Sequence, residues 1–418
     1  MLQSAMERYW ETSRSVHRWR SALLGENATF RDVVIGDHFR MSRSRHPIAG
    51  ETAQRAAAAL TWLFNAQDAS SDGGVAYGYF PVSSARGWDV SYPETTGYIM
   101  TSLVEYGRST DWAEPIERAR RMALWEAEVQ MPNGAVQGGK LTSRDKQTPA
   151  AFNTGMVLDG FVTVLEERAD AEILRAAERV AEFLAADLNS EGLFVTNGEF
   201  VSKDAIKVYN VLCAWALHRF GALIRMPRYC DLAVKAVKGA LRFQNPNGWF
   251  SENCLTDSLH PLTHTIGYTV QGVMEVGIAA GREDFIAACE RTWGAIVSRI
   301  HENGYLPGRF DKSWRPAAKW SCLTGSAQLA IVGYRLSQVR AEARHAQAAD
   351  RLVDWLKGVQ RLQTGNPGID GALAGSFPIM GGYMTGGYPN WATKYFLDAL
   401  MAQAQRSGER LLVITRRK

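Results

Sequence analysis

Gln244-Asn245-Pro246-Asn247-Gly248-Trp249-Phe250 ends one amphipathic segment and turns the chain towards the next. Pro and Asn before Gly are turn chemistry, and the Gly takes the positive φ that closes a helix. Working outward, the phrase recurs as Gln67 leading to Gly73-Gly74-Val75, as Gln130-Met131-Pro132-Asn133-Gly134-Ala135 and as Leu188-Asn189-Ser190-Glu191-Gly192-Leu193-Phe194. His301-Glu302-Asn303-Gly304-Tyr305 and Gln360 leading to Asp370-Gly371-Ala372 complete a set of six. The segments before these phrases, such as 112–130, 169–188, 228–244, 282–300 and 341–360, carry their charges on one face. The segments after them, 94–106, 153–165, 209–220, 264–276, 324–336 and 391–404, are apolar nearly all round, so they lose water on every side.

Glu94-Thr95-Thr96-Gly97, Phe152-Asn153-Thr154-Gly155, His264-Thr265-Ile266-Gly267 and Cys322-Leu323-Thr324-Gly325 align by letter, with the glycines 58, 112 and 58 residues apart. Val211 and Thr393 are expected at that place in repeats three and six. Six helix pairs at near-constant period, alternately amphipathic and fully apolar, specify two concentric rings of helices. The expected fold class is therefore all-α, an (α/α)6 toroid over residues 51–405. An N-terminal helical extension occupies 1–50, with one helix over about 2–24, and a tail occupies 406–418.

Composition agrees with a globular chain: hydrophobic residues are 46% and charged residues 22%. A net charge of +4 over 418 residues, with no Lys/Arg run among aromatics, excludes a nucleic-acid surface. No stretch of about 18 apolar residues predicts a membrane span, and the first ten residues lack the pattern of a signal peptide. Five scattered cysteines without a CxxC pair point to a reducing, cytoplasmic setting. No cofactor and no metal are expected, and the oligomeric state is left open.

The span 51–405 resembles the six-hairpin toroid superfamily of glycoside hydrolases, polysaccharide lyases, sugar epimerases, terpenoid cyclases and prenyltransferase β-subunits. The Gln-x-x-x-Gly-aromatic phrases resemble the repeat of squalene and hopene cyclases and of prenyltransferases. The Asp-x-Asp-Asp acid of those cyclases is missing, and Cys322 is preceded two places back by Trp320 where the zinc enzymes have Asp. Val90-Ser91-Tyr92-Pro93-Glu94-Thr95-Thr96-Gly97-Tyr98 resembles the first inner-helix start of inverting cellulase- and chitosanase-type toroid glycosidases. There a Ser-Glu-x-x-Gly-Tyr string carries the proton donor; here Tyr92 and Pro93 stand between Ser91 and the acid. The chain also resembles toroid proteins associated with bacterial surface-polysaccharide biosynthesis, which implies an oligosaccharide or glycan partner.

In two nested rings, the N-termini of the inner helices converge and point free N–H groups and partial positive charge at one basin. The expected site collects side chains at those starts: Trp88, Asp89, Tyr92 and Glu94; Asn153; Lys207 and Tyr209; His260 and His264; Trp320; Tyr388, Asn390, Trp391 and Lys394. Glu94 is the candidate general acid, against the alternative of a capping carboxylate favoured by the helix dipole. A two-carboxylate glycosidase needs a second acid about 5 Å away for retention or roughly 6.5–9.5 Å away for inversion. Asp89 is the first choice for it, with Asp204, Asp311 and Asp370 also in loops of the correct end. A uronate lyase or epimerase instead needs a His or Tyr base, for which His264 and Tyr209 stand, with Asn153 and Lys207 to hold the carboxylate. The alternative for His264 is a hydrogen-bonded structural histidine, and Pro261 opposes a helical His260/His264 metal pair. Trp320 and Trp391 are candidate stacking platforms, or core. Asn390 and Lys394 share a helix face. The glycine-rich 381–388 stretch reads as a lid or a close-packed loop. A non-catalytic glycan-binding toroid and a terpenoid cyclase-like protein complete the alternatives.

Overall fold

The computed structural model describes residues 16–25, 27–40, 47–82, 87–198 and 205–414. Six helical hairpins build it. The outer helices are Thr52–Asp68, Ala113–Val129, Ala171–Asp187, Pro227–Leu241, Glu283–Val297 and Ala343–Val359. The inner helices are Pro93–Thr110, Ala151–Glu167, Leu212–Leu223, Thr263–Ala279, Leu323–Arg340 and Asn390–Ser407. Each inner helix packs on the next, and the last packs on both the first inner and the first outer helix. The ring is therefore closed, as a six-hairpin (α/α)6 toroid.

The phrases that define the repeat explain the closure. The glycine of each one, at 73, 134, 192, 248, 304 and 371, has φ between 80° and 105°, a conformation that favours glycine. Four of the six also carry a glutamine clasp. The Gln67 amide donates to Gly73 O and Arg118 O while Arg118 donates to its Oε1. Gln130 does the same with Gly134, Ala176 and Arg179, and Gln244 with Ala288 and Arg291. Gln360 donates to Gly371 O and Arg55 O and accepts from Arg55, so the last outer helix is clasped to the first. Leu188 and His301 stand at this place in the other two phrases and bring no such amide.

The inner-ring glycines are sites of close approach. A Cβ on Gly97 would lie 2.7 Å from Val157 Cα, and one on Gly325 would lie 2.5 Å from the His264 nitrogen. Threonines lock the loops onto the inner helix starts: Val75 N donates to Thr96 Oγ1, Val136 N to Thr154 Oγ1 and Leu373 N to Thr393 Oγ1. This equivalence moves the register of repeat six by one residue: Thr393 matches Thr96 and Thr154, and Lys394 takes the glycine's place. At the seam, Asn390 Nδ2 donates to Ala76 O and Thr95 Oγ1, both at 2.8 Å, beside the antiparallel pairing of Gly78–Tyr79 with Tyr388–Pro389.

In the N-terminal region, residues 16–24 are helical, and Ala28–Ile35 runs into a π-helical turn, Gly36–Arg40. The expected arm after residue 24 is thus partly helical; the start of the expected 2–24 helix lies outside the described residues. Asp37 fixes this segment to repeat six by pairing with Arg361 and accepting from Ile379 N. The tail crosses the other end of the barrel, where Tyr106 Oη donates to Leu412 O and Ala53 N to the Glu409 carboxylate. Among the described residues, no helix is long and apolar enough to cross a membrane, and no three His, Cys, Asp or Glu side chains gather as a metal set.

Candidate active site

A cavity of about 190 Å³ opens where the inner helices begin. Six of the residues expected from the sequence line it: Tyr92, the N-cap of the first inner helix, and Glu94 within it, Asn153 from the second, Tyr209 from the 3-10 turn Val208–Val211 that leads into the third, His264 from the fourth and Trp391 from the sixth. Tyr77, Phe152, Tyr268, Tyr383 and Met384 add to the wall, with Thr196, Asn197 and Asn210 on one side and Leu255 and Leu262 on another. Tyr268 was within reach of sequence reasoning, since it lies four residues after His264 and so on the same helix face. Tyr77 and Tyr383 come from loops, whose paths periodicity does not give.

Glu94 is the second residue of its helix, after Pro93 at N1, where the dipole favours the anion. Burial wins: the desolvated carboxyl is pushed up to about 7, although the Tyr92 hydroxyl, 3.3 Å from Oε2, pulls the other way. The tyrosines around it respond in kind. Tyr77, Tyr92, Tyr98, Tyr209, Tyr268 and Tyr383 are all pushed up, by burial first and by the nearby Glu94 charge among the further causes. They remain protonated phenols.

His264 Nδ1 lies 2.8 Å from Gln328 Oε1. An amide oxygen only accepts, so Nδ1 carries the proton and Nε2 keeps its lone pair. Burial lowers this imidazole to about 4 in spite of the Gln328 bond, so it is neutral near pH 7. Its ring packs on Tyr268 at 4.4 Å and on Tyr383 at 5.5 Å. Tyr383 Oη accepts from Trp391 Nε1 at 2.9 Å, and Trp391 meets the Tyr77 ring edge-on at 4.9 Å. The glycine-rich stretch thus packs into the wall through Tyr383 and Met384.

The remaining expected residues stand elsewhere. Asp89 lies outside the wall, bonded to Lys140 at 2.5 Å and accepting from Val90 N. Trp88 packs on Trp62 and Tyr79. Lys207 donates to Cys254 O and Leu255 O behind the wall, and His260 pairs with Asp257 in the turn before the fourth inner helix. Trp320 packs against Gly308, Gly381 and Gly382. Tyr388 is buried in the strand pairing of the seam, Asn390 in its hydrogen bonds. Lys394 is one turn deeper than Asn390, bonded to Asp398 at 2.7 Å and facing the opposite end of the barrel. Asp311 is held by Arg315, and Asp370 accepts from Thr364 N and Gly365 N; Asp204 lies outside the described residues. Among the described residues, Glu94 is the one carboxyl in the wall.

No protein-family model and no curated protein matches the chain. Solved structures do. A heparin-specific unsaturated glucuronyl hydrolase superposes with a TM-score of 0.69 at 15% identity, over 87% of this chain and 99% of that one. The unsaturated glucuronyl hydrolase of Bacillus sp. GL1 gives 0.66 at 16%, over 85% and 97%. A polysaccharide lyase gives 0.60 at 11%, over 88% and 100%. At these identities the likeness is one of fold.

Proposed function

We propose that the chain is a carbohydrate-active enzyme that hydrolyses a glycosidic bond, with Glu94 as general acid and His264 as the group that orients and deprotonates water. The observation that carries the reading is a lone carboxyl, lifted to about 7, in a tyrosine-lined basin at the inner helix starts. At neutrality such a group is protonated roughly half of the time, so it can give its proton to a leaving oxygen. The phenols and the Trp391 indole supply flat faces and hydrogen bonds of the kind that seat sugar rings. The neutral His264 takes the role that a second carboxylate has in two-acid glycosidases. The names of the solved structures that share the fold, glycan hydrolases and a lyase, agree with this substrate class.

A second reading, elimination from a uronate by His264 and Tyr209, draws on the same neutral imidazole. It needs a cation or amide to hold the carboxylate; Lys207 is engaged by two carbonyls and the Asn153 amide donates to Gln137 O. Both readings are tested by incubating the protein with neutral and uronate-containing oligosaccharides. Hydrolysis predicts new reducing ends without ultraviolet absorbance from an unsaturated product, and a loss of at least about 100-fold in Glu94→Gln. Full activity in Glu94→Gln overturns the assignment of the acid, and an absorbing product overturns hydrolysis.

A further inference from the structure

The third residue after the glycine's place is buried in every inner helix. Counted from Gly97, Gly155, Val211, Gly267, Gly325 and Lys394, these residues are Met100, Leu158, Ala214, Val270, Gln328 and Leu397, all of them 0–1% exposed. Five are apolar, so the packing of the ring does not call for an amide there. A buried amide costs free energy unless its polar atoms are bonded, and the bond that the Gln328 oxygen makes is the one from His264 Nδ1 at 2.8 Å.

The glycines of the repeat make room for this bond. A Cβ on Gly267 would lie 2.9 Å from both Cβ and Oε1 of Gln328, and one on Gly325 would lie 2.3 Å from Thr263 Oγ1. The fourth and fifth inner helices therefore approach closely beside His264, and the amide lies in the notch that Gly267 leaves one turn after it. The titratable groups near the imidazole are Tyr268 on its own helix, Tyr383 from the glycine-rich loop, Cys322 at the start of the fifth helix and Glu94 in the same cavity wall. A neutral amide suits this place. A carboxylate would bring negative charge next to the ring and favour the imidazolium, whereas an amide oxygen orients the ring without charging it.

We propose that Gln328 is a positioning residue for His264: its amide oxygen holds the imidazole in the tautomer whose Nε2 is free to take a proton from water. The inference rests on the hydrolysis reading of His264. When Nε2 takes the proton, the Nδ1 bond to the amide becomes charge-assisted, which favours the step. The test is nitrogen-15 NMR of protein labelled in its 8 histidines, with the His264 signals assigned by their absence in His264→Gln. Between about pH 6 and pH 8 the parent is expected to show a protonated Nδ1 and an unprotonated Nε2. Gln328→Met, of similar volume and matching Met100 of the first inner helix, removes the acceptor and keeps the packing. It is expected to move both His264 signals towards the opposite tautomer. It is also expected to lower kcat about 10- to 100-fold, with KM within about threefold, on the oligosaccharide that the parent cleaves. A protonated Nε2 in the parent overturns the inference, whether or not Gln328→Met folds. An unchanged His264 signature or an unchanged kcat in Gln328→Met overturns it too, since the amide would then be packing alone. If the signals respond but the parent cleaves no oligosaccharide, the hydrolysis reading fails and the positioning role falls with it, while the hydrogen bond stands.

Discussion

The two ends of the barrel treat buried charge in opposite ways. At the C-terminal ends of the inner helices lies a wide cleft of about 1090 Å³. Three of the acids that line it have cations: Arg219 bonds Asp159 at 2.6 Å and, beside the cleft, Glu166 at 2.7 Å, Arg335 bonds Glu275 at 3.2 Å, and Lys394 bonds Asp398 at 2.7 Å. At the N-terminal ends the cavity is less than a fifth of that size, and Glu94 has a phenol for company. Glu275 is also pushed up by burial, but Arg335 opposes the shift. Paired charge holds helices together, whereas a desolvated acid without a cation that also opens on a cavity is suited to acid–base chemistry; Glu126, equally without a cation but sealed in the core, lines no such cavity. Volume is the poorer guide to the site.

The sharpest way to break this contrast is to neutralise one acid at each end. Glu94→Gln is expected to lose about 100- to 10,000-fold in glycan turnover, while Glu275→Gln stays within about threefold of the parent. Equal losses would erase the distinction. Removing a cation reverses the roles. Arg219→Ala leaves Asp159 and Glu166 without their shared partner and is expected to cost about 3 kcal/mol in urea unfolding, the low end for buried pairs because both partners keep some solvent.

The contrast also has a pH signature. The folded state binds the Glu94 proton more tightly than the unfolded chain does, so its stabilising effect is complete below about pH 4.5 and is lost as the pH rises through about 7. Gln has no proton to lose. The melting temperature of Glu94→Gln relative to the parent is therefore expected to rise by about 1–3 °C between pH 5 and pH 8; a constant difference would mean that the carboxyl is not desolvated. The smallest effect belongs to the scaffold. Gln360→Ala opens the clasp that joins the last outer helix to the first and is expected to cost about 1 kcal/mol in the same unfolding assay, with turnover kept.

The rings were legible in the sequence because their determinants are local: a turn glycine, a clasping glutamine and an inner-helix glycine repeat at nearly constant spacing. The site was legible only in part. Position at an inner-helix start put Tyr92, Glu94, Asn153, Tyr209, His264 and Trp391 around one cavity. It did not fix depth or azimuth, so Lys394 falls a turn too deep and Asn390 turns into the seam. Nor does sequence show how loops fold back: Asp89 is taken up by Lys140, Tyr388 by a strand pairing, and Tyr77 and Tyr383 arrive from loops that carry no periodic signal.

The central claim is that Glu94 holds a proton near neutrality inside the basin. Difference infrared titration of the parent against Glu94→Gln follows that carboxyl directly, through its protonated C=O band. A midpoint near pH 7 is the predicted result. A midpoint near 4.5 would make Glu94 an ordinary helix-capping carboxylate and contradict the account.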